Sequence, residues 1–206
     1  GSLSFGLSYS VASGTGFNVG FSETNFLGRG QKLSVAVSTA SANQNSSFSF
    51  TEPALLGRDL SFSIGAYYRT SESDYSFYDT RNLGFTTGIG FPLGEQSSLD
   101  LRLGLSRDEL YNYTGDSAIL AAEASQGALD TVSLGYSYEY DNRITGLNPK
   151  GGVLLRFGQD FAGVGGDIES ITSTGLARYE RKAFNEEVTL RAELEGGAVI
   201  SSGNDT

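Results

Sequence analysis

The chain begins with a strict alternation. Leu3, Phe5, Leu7 and Tyr9 occupy one parity, and Ser2, Ser4, Gly6, Ser8 and Ser10 the other. Successive side chains of a β-strand point to opposite faces, so this predicts a strand over residues 3–11 with one apolar and one small polar face. The same period returns along most of the chain. Residues 16–25 group Phe17, Val19 and Phe21, and residues 32–39 group Leu33, Val35 and Val37. A short strand carrying Phe48 and Phe50 should stop at Pro53, which has no N–H to give a ladder. Leu60, Phe62, Ile64, Ala66 and Tyr68 follow, then Leu83, Phe85, Thr87, Ile89 and Phe91 ahead of Pro92. The seventh strand alternates Leu99, Leu101, Leu103 and Leu105 with Asp100, Arg102, Gly104 and Ser106, and the eighth carries Val132, Leu134, Tyr136, Tyr138 and Tyr140. Residues 151–161 and 170–181 alternate less cleanly. In the last segment Val188, Leu190, Ala192 and Leu194 oppose Thr189, Arg191, Glu193 and Glu195. About eleven strands are predicted in all.

The polar parity decides which way the sheet faces. A soluble sheet turns Lys, Glu and Thr toward water, whereas these slots hold mostly Ser, Gly and Asn. The strongly apolar face is therefore the outward one, as in strands that meet hydrocarbon on one side and a hydrated lumen on the other. The expected fold is all-β, an antiparallel transmembrane β-barrel of a bacterial outer membrane, in contact with its lipids. Tyr9, Tyr68, Tyr138 and Tyr140 lie near strand ends, where an interfacial aromatic girdle belongs. The connections near residues 27–30, 54–58, 93–96 and 185–186 read as tight, those at 71–79 and 112–127 as long and polar, and 141–150 as longer than a tight turn. Bacterial barrels keep short turns in the periplasm and long loops outside, so the first strand enters from the periplasm.

Composition narrows the function. The chain has 206 residues, enough for one domain, with 28 glycines and only 18% charged residues. No apolar run reaches the roughly 18 residues of a transmembrane helix, but a transmembrane strand needs only about 9 to 11, with every second one apolar. Cys, His, Met and Trp are all absent, which removes thiol nucleophiles, Cys or His metal sites and His-based triads from this segment. No enzyme activity, metal or cofactor is expected. A net charge of −10 argues against a nucleic-acid partner. There is no signal peptide at residue 1, so the chain is expected to start after a cleavage site or inside a larger protein. Up-and-down barrels close with an even strand number, and about eleven strands leave the last parallel to the first. Residues 1–206 therefore read as a partial barrel that does not close by itself, ending at 201–206 in the start of a loop.

Most local motifs have plain structural readings. Gly14-Thr15-Gly16 and Gly163-Val164-Gly165-Gly166-Asp167 neither open a helix nor carry a phosphate-loop Lys, so they read as turns. Asp108 and Glu109, like Glu186 and Glu187, are adjacent on strands and point to opposite faces, which disfavours a catalytic pair. The sequons at Asn45 and Asn112 read as chance. Arg29, Arg58 and Arg143 sit in or beside turns rich in glycine or apolar residues, where glycine supplies positive φ and the arginine is expected to cap carbonyls or meet phosphate headgroups.

Those segments also carry a family resemblance. The first strand with Gly14-Thr15-Gly16-Phe17, then Asn25-Phe26-Leu27-Gly28-Arg29-Gly30 and Thr51-Glu52-Pro53, resembles the start of the barrel in the BamA family of outer-membrane barrel-assembly proteins. Tyr140-Asp141-Asn142-Arg143, Pro149-Lys150-Gly151-Gly152 and the stretch 159–167 are similar to its middle strands, especially in α-proteobacterial members. The resemblance implies a barrel of about sixteen strands, preceded by periplasmic repeats and completed by further strands. It implies a protein that folds and inserts client β-barrel polypeptides, with periplasm-facing assembly lipoproteins as partners. In such a protein the first strand, residues Leu3, Ser4, Phe5, Gly6, Leu7, Ser8, Tyr9 and Ser10, would form a lateral seam whose backbone accepts a client strand. The alternatives are a passive outer-membrane channel, which needs a lumen ring of charge or a constriction, and a protein-translocation transporter of the same superfamily.

Overall fold

A computed structural model describes residues 1–11, 14–72, 77–144, 151–163, 170–183 and 188–201. It is one antiparallel sheet in which each strand pairs with the next in sequence. The strands are β1 (Ser2–Ser10), β2 (Gly14–Phe26), β3 (Gln31–Ala40), β4 (Asn43–Glu52), β5 (Ser61–Ser71), β6 (Asp79–Gly94), β7 (Ser97–Tyr111), β8 (Leu129–Asp141), β9 (Gly152–Ala162), β10 (Ser170–Ala183) and β11 (Val188–Ser201). All eleven predicted strands are present. β4 ends at Glu52, just ahead of Pro53, as the missing donor requires. β6 instead runs on through Pro92, which sits at a register shift, beyond the last β5 pair at Ser61 and Gly90.

The register explains why the alternation matters. Leu3, Phe21, Val35, Phe48, Ala66, Phe85, Leu105 and Val132 lie opposite one another across β1–β8 and form one unbroken apolar row. The neighbouring row is Ser4, Gly20, Ala36, Ser47, Tyr67, Gly84, Ser106 and Thr131, on the other face. A soluble sheet would bury the first row beneath a second layer. Here Leu3, Phe5, Leu83, Phe85 and Leu105 are exposed, and Leu154 is the one buried apolar side chain among the described residues. The sheet is a membrane wall, apolar outside and polar in the lumen. No helix among the described residues is long and apolar enough to cross a membrane.

The turns bear on orientation. Residues 27–30 and 95–96 are tight, and the β4–β5 connection is a single 3-10 turn at Leu55–Gly57. At the opposite end the β3–β4 link is also short, but the β7–β8 connection is long and holds a helix, α1 (Ala118–Gln126), where only polar loop was expected. The Ser117 side chain caps it by accepting from Leu120 N–H at 3.5 Å. The predicted turn at 185–186 and the glycines at 164–167 fall outside the described residues.

Candidate functional site

β1 is an edge. It pairs with β2 without a break, from Ser2 opposite Ser22 to Ser10 opposite Gly14, and has no neighbour on its other side among the described residues. In an antiparallel ladder alternate residues direct both N–H and C=O to the same side, so about half of the β1 backbone groups point away from β2. Unpaired groups of this kind cost several kcal/mol each in hydrocarbon, so they must be covered within a membrane. Such an edge can take up another strand.

The eight residues from Leu3 to Ser10 all lie on β1. Leu3, Phe5, Leu7 and Tyr9 face outward, with 60%, 72%, 87% and 76% of their surfaces exposed. Ser4, Gly6, Ser8 and Ser10 face the lumen, and Ser4 Oγ donates to the Gly20 carbonyl at 3.3 Å. Gly6 has a specific packing reason. A Cβ there would stand 2.4 Å from Oδ1 of Asn18, which lies over the glycine.

The far half of the lumen face is charged, and its arrangement is invisible to residue spacing alone. Arg102 on β7 reaches over β8 to Asp160 on β9, donating through Nη2 to both carboxylate oxygens at 2.9 and 3.1 Å. Gly135 lies between them in register, and its lack of a side chain leaves room for the bridge, since a Cβ there would collide with the Asp160 carboxylate and force it to move. Arg102 also donates to Ser137 Oγ at 2.8 Å. Arg156 Nε donates to Glu139 at 2.8 Å and Arg178 Nε to Glu193 at 2.6 Å, while Arg191 lies 2.9 Å from Glu180.

Arg143 departs from expectation. Rather than capping carbonyls or facing headgroups, it forms two side-chain hydrogen bonds to Asp141, at 2.9 and 2.8 Å, and approaches Glu180 at 3.6 Å. The hydrogen bonds to Asp141 raise the guanidinium above its ordinary pKa, against a smaller opposing effect of burial. Asp108 and Glu109 diverge as alternation requires. Asp108 accepts from Asn82 at 2.6 Å in the lumen, and Glu109 accepts from Arg81 at 3.0 Å on the outward face.

Comparison with known proteins assigns the family. Residues 25–206 match the Omp85 superfamily domain. The chain is 25% identical over 197 residues to the outer membrane protein assembly factor BamA of Neorickettsia risticii, covering 94% of this chain and 27% of that protein. It is also 25% identical over 187 residues to a sorting and assembly machinery component 50 homolog of Xenopus tropicalis, covering 90% of this chain and 39% of that one. A crystal structure of BamA from Haemophilus ducreyi lacking POTRA domains 1–3 shares the fold, with a TM-score of 0.68 at 21% identity over 98% of this chain and 41% of that one. The chain thus spans about a quarter to two fifths of the length of these relatives. With the match covering all but the first strand and the first hairpin's return, the chain belongs to the Omp85 superfamily.

Proposed function

We propose that this chain is part of the barrel of an outer-membrane assembly factor, which folds and inserts client β-barrel polypeptides without a catalytic step. The observation that carries the reading is membership of the Omp85 superfamily, together with likeness over 90% or more of this chain to named assembly components. A client strand adds to β1 by β-augmentation: its N–H and C=O groups pair with those β1 turns away from β2, while its side chains alternate between lipid and lumen. Main-chain recognition suits clients of unrelated sequence, because every strand carries the same backbone groups. The small lumen residues Ser4, Gly6, Ser8 and Ser10 leave the incoming strand's inward side chains unobstructed. Outer-membrane lipids surround the apolar face, and assembly lipoproteins dock from the periplasm.

The test uses the full-length protein. Ser8→Cys should crosslink to a cysteine in the terminal strand of a stalled client, since paired backbones lie about 5 Å apart. Ser8 is a better site than Gly6, where the new side chain must displace Asn18. Proline placed singly along β1 should impair client insertion at alternate positions, those whose N–H faces the edge, while Ser8→Ala is tolerated. A passive channel or a translocation transporter predicts no client crosslink and no alternation. Intact insertion in every proline variant, with no crosslink, would overturn the reading.

A further inference from the structure

We propose that the outward face of β5–β8, at its extracellular end, binds a multiply phosphorylated, multi-acyl lipid of the outer leaflet. A groove of about 550 Å³ lies there, floored by Ala66, Leu83, Phe85, Leu105 and Val132, with Arg107 and Asp130 at its upper edge. The register puts Leu83, Arg107 and Asp130 in one outward row, with Ala66, Phe85, Leu105 and Val132 in the row below. Successive rows are about 7 Å apart along a strand, so cation and apolar floor sit at headgroup and acyl-chain depth respectively.

A second cation completes the arrangement. Arg81 also faces outward, one strand from Arg107 and one row higher, opposite Glu109. Its guanidinium stacks over the Tyr111 ring at 5.0 Å, which holds it near the interface. Charged side chains on the lipid face are penalised at the midplane and tolerated near the interface, so two arginines here mark headgroup depth. Arg81 is held by Glu109 at 3.0 Å, whereas the partner of Arg107 is a weak competitor. Arg107 approaches Asp130 no closer than 3.5 Å, with both side chains 60% exposed, and such a pair exchanges readily for a phosphate. Arginine offers phosphate a paired set of donors that a carboxylate contact this long does not satisfy. Two guanidiniums on adjacent strands above an apolar slot match a lipid carrying more than one phosphate and several chains. Phosphatidylglycerol, with two chains, supplies one phosphate.

The proposal depends on the barrel's orientation and not on the assembly reading, and client insertion is not its readout. Full-length protein in detergent is incubated with lipid A, with lipid A stripped of its phosphates, or with phosphatidylglycerol, and retained lipid is counted by native mass spectrometry. Wild type should retain lipid A above the other two. R81Q/R107Q should lower that retention roughly thirtyfold, on the scale of two cations lost from a lipid surface, while R81K/R107K keeps most of it. Asp130→Asn frees Arg107 and should raise retention, an arm that stands even if the double glutamine variant fails to fold. Equal retention of the three lipids by wild type would overturn the site, as would unchanged lipid A retention in folded R81Q/R107Q or no gain in Asp130→Asn.

Discussion

β1–β6 and β7–β11 present the same face to lipid and different faces to the lumen. In the first set the lumen positions are mostly Ser, Gly, Ala, Asn and Thr, with Lys32 and Arg69 among the few charged ones. In the second they include Arg102, Glu139, Arg156, Asp160, Arg178, Glu180, Arg191 and Glu193, tied to one another across strands. Neighbouring strands of the first set are joined by backbone ladders, outward apolar contacts and neutral or singly charged side-chain hydrogen bonds such as Gln31 to Glu52. Those of the second are also stitched by ion pairs, in one case over three strands. The edge proposed to receive clients belongs to the set without cross-strand ion pairs between strand side chains. Were the wall to part at β1 as proposed, concentrating its ion pairs away from that side would lower the cost of parting.

The largest expected effect tests the facing on which this contrast rests. Leu103 points to lipid halfway along β7, between Thr87 and Leu134, and Arg102 points to the lumen. Leu103→Arg should destabilise the complete barrel by about 2 to 4 kcal/mol, the cost of an arginine near the bilayer midplane. Arg102→Leu should cost less, because it removes a hydrated ion pair and adds no charge to hydrocarbon. Denaturant titration in vesicles measures both. Equal losses would mean that the assignment of the two faces is wrong.

The next test separates glycines that serve stitching from those that do not. Gly135 and Gly175 are both strand glycines, but a Cβ at Gly135 collides with Asp160, and one at Gly175 meets nothing within 4 Å. Gly135→Ala should displace Asp160 from Arg102 and cost about 1 to 2 kcal/mol. Gly175→Ala should be neutral or gain up to about 0.5 kcal/mol from a stiffer unfolded chain. If both cost the same, the three-strand bridge contributes nothing.

These particulars also show what was legible beforehand. The strands and their facing follow from a period of two, a property each segment carries by itself, so even β10 was found despite its weaker alternation. The Arg102–Asp160 bridge was not found, because partners 58 residues apart meet only through the registers of β7, β8 and β9. Positive φ at Gly28 and Gly57 was expected, but Leu27 and Leu56 adopt it too, at 56° each, against the steric preference of a branched residue. Helix α1 had a signal, Ser117 ahead of an alanine-rich run, overridden by reading the long connection as loop. For the site, the edge strand was readable as a strand. That this segment leaves its first strand without a second partner was also legible, from an odd strand count that cannot close an up-and-down barrel.

The smallest effect probes how much one stitch is worth. Arg156 and Glu139 are paired across β8 and β9 with 54% and 32% of their side chains exposed, so water and salt screen them well. A double-mutant cycle with Arg156→Gln and Glu139→Gln should give a coupling of about 0.5 kcal/mol or less, shrinking further as salt is raised. The pair between Arg143 and Glu180 has the longer separation but only 14% and 15% exposure, and Asp141 shares the same guanidinium. Its cycle should return the larger and less salt-sensitive coupling, because burial weakens screening and Arg143→Gln leaves two carboxylates facing one another across the vacated position. Stitching would then be strongest just past the end of β8, where β8 and β10 meet through one arginine. A larger coupling for Arg156 and Glu139 would place the strength of the second set within the open lumen instead, and the contrast between the two halves would have to be drawn from charge number alone.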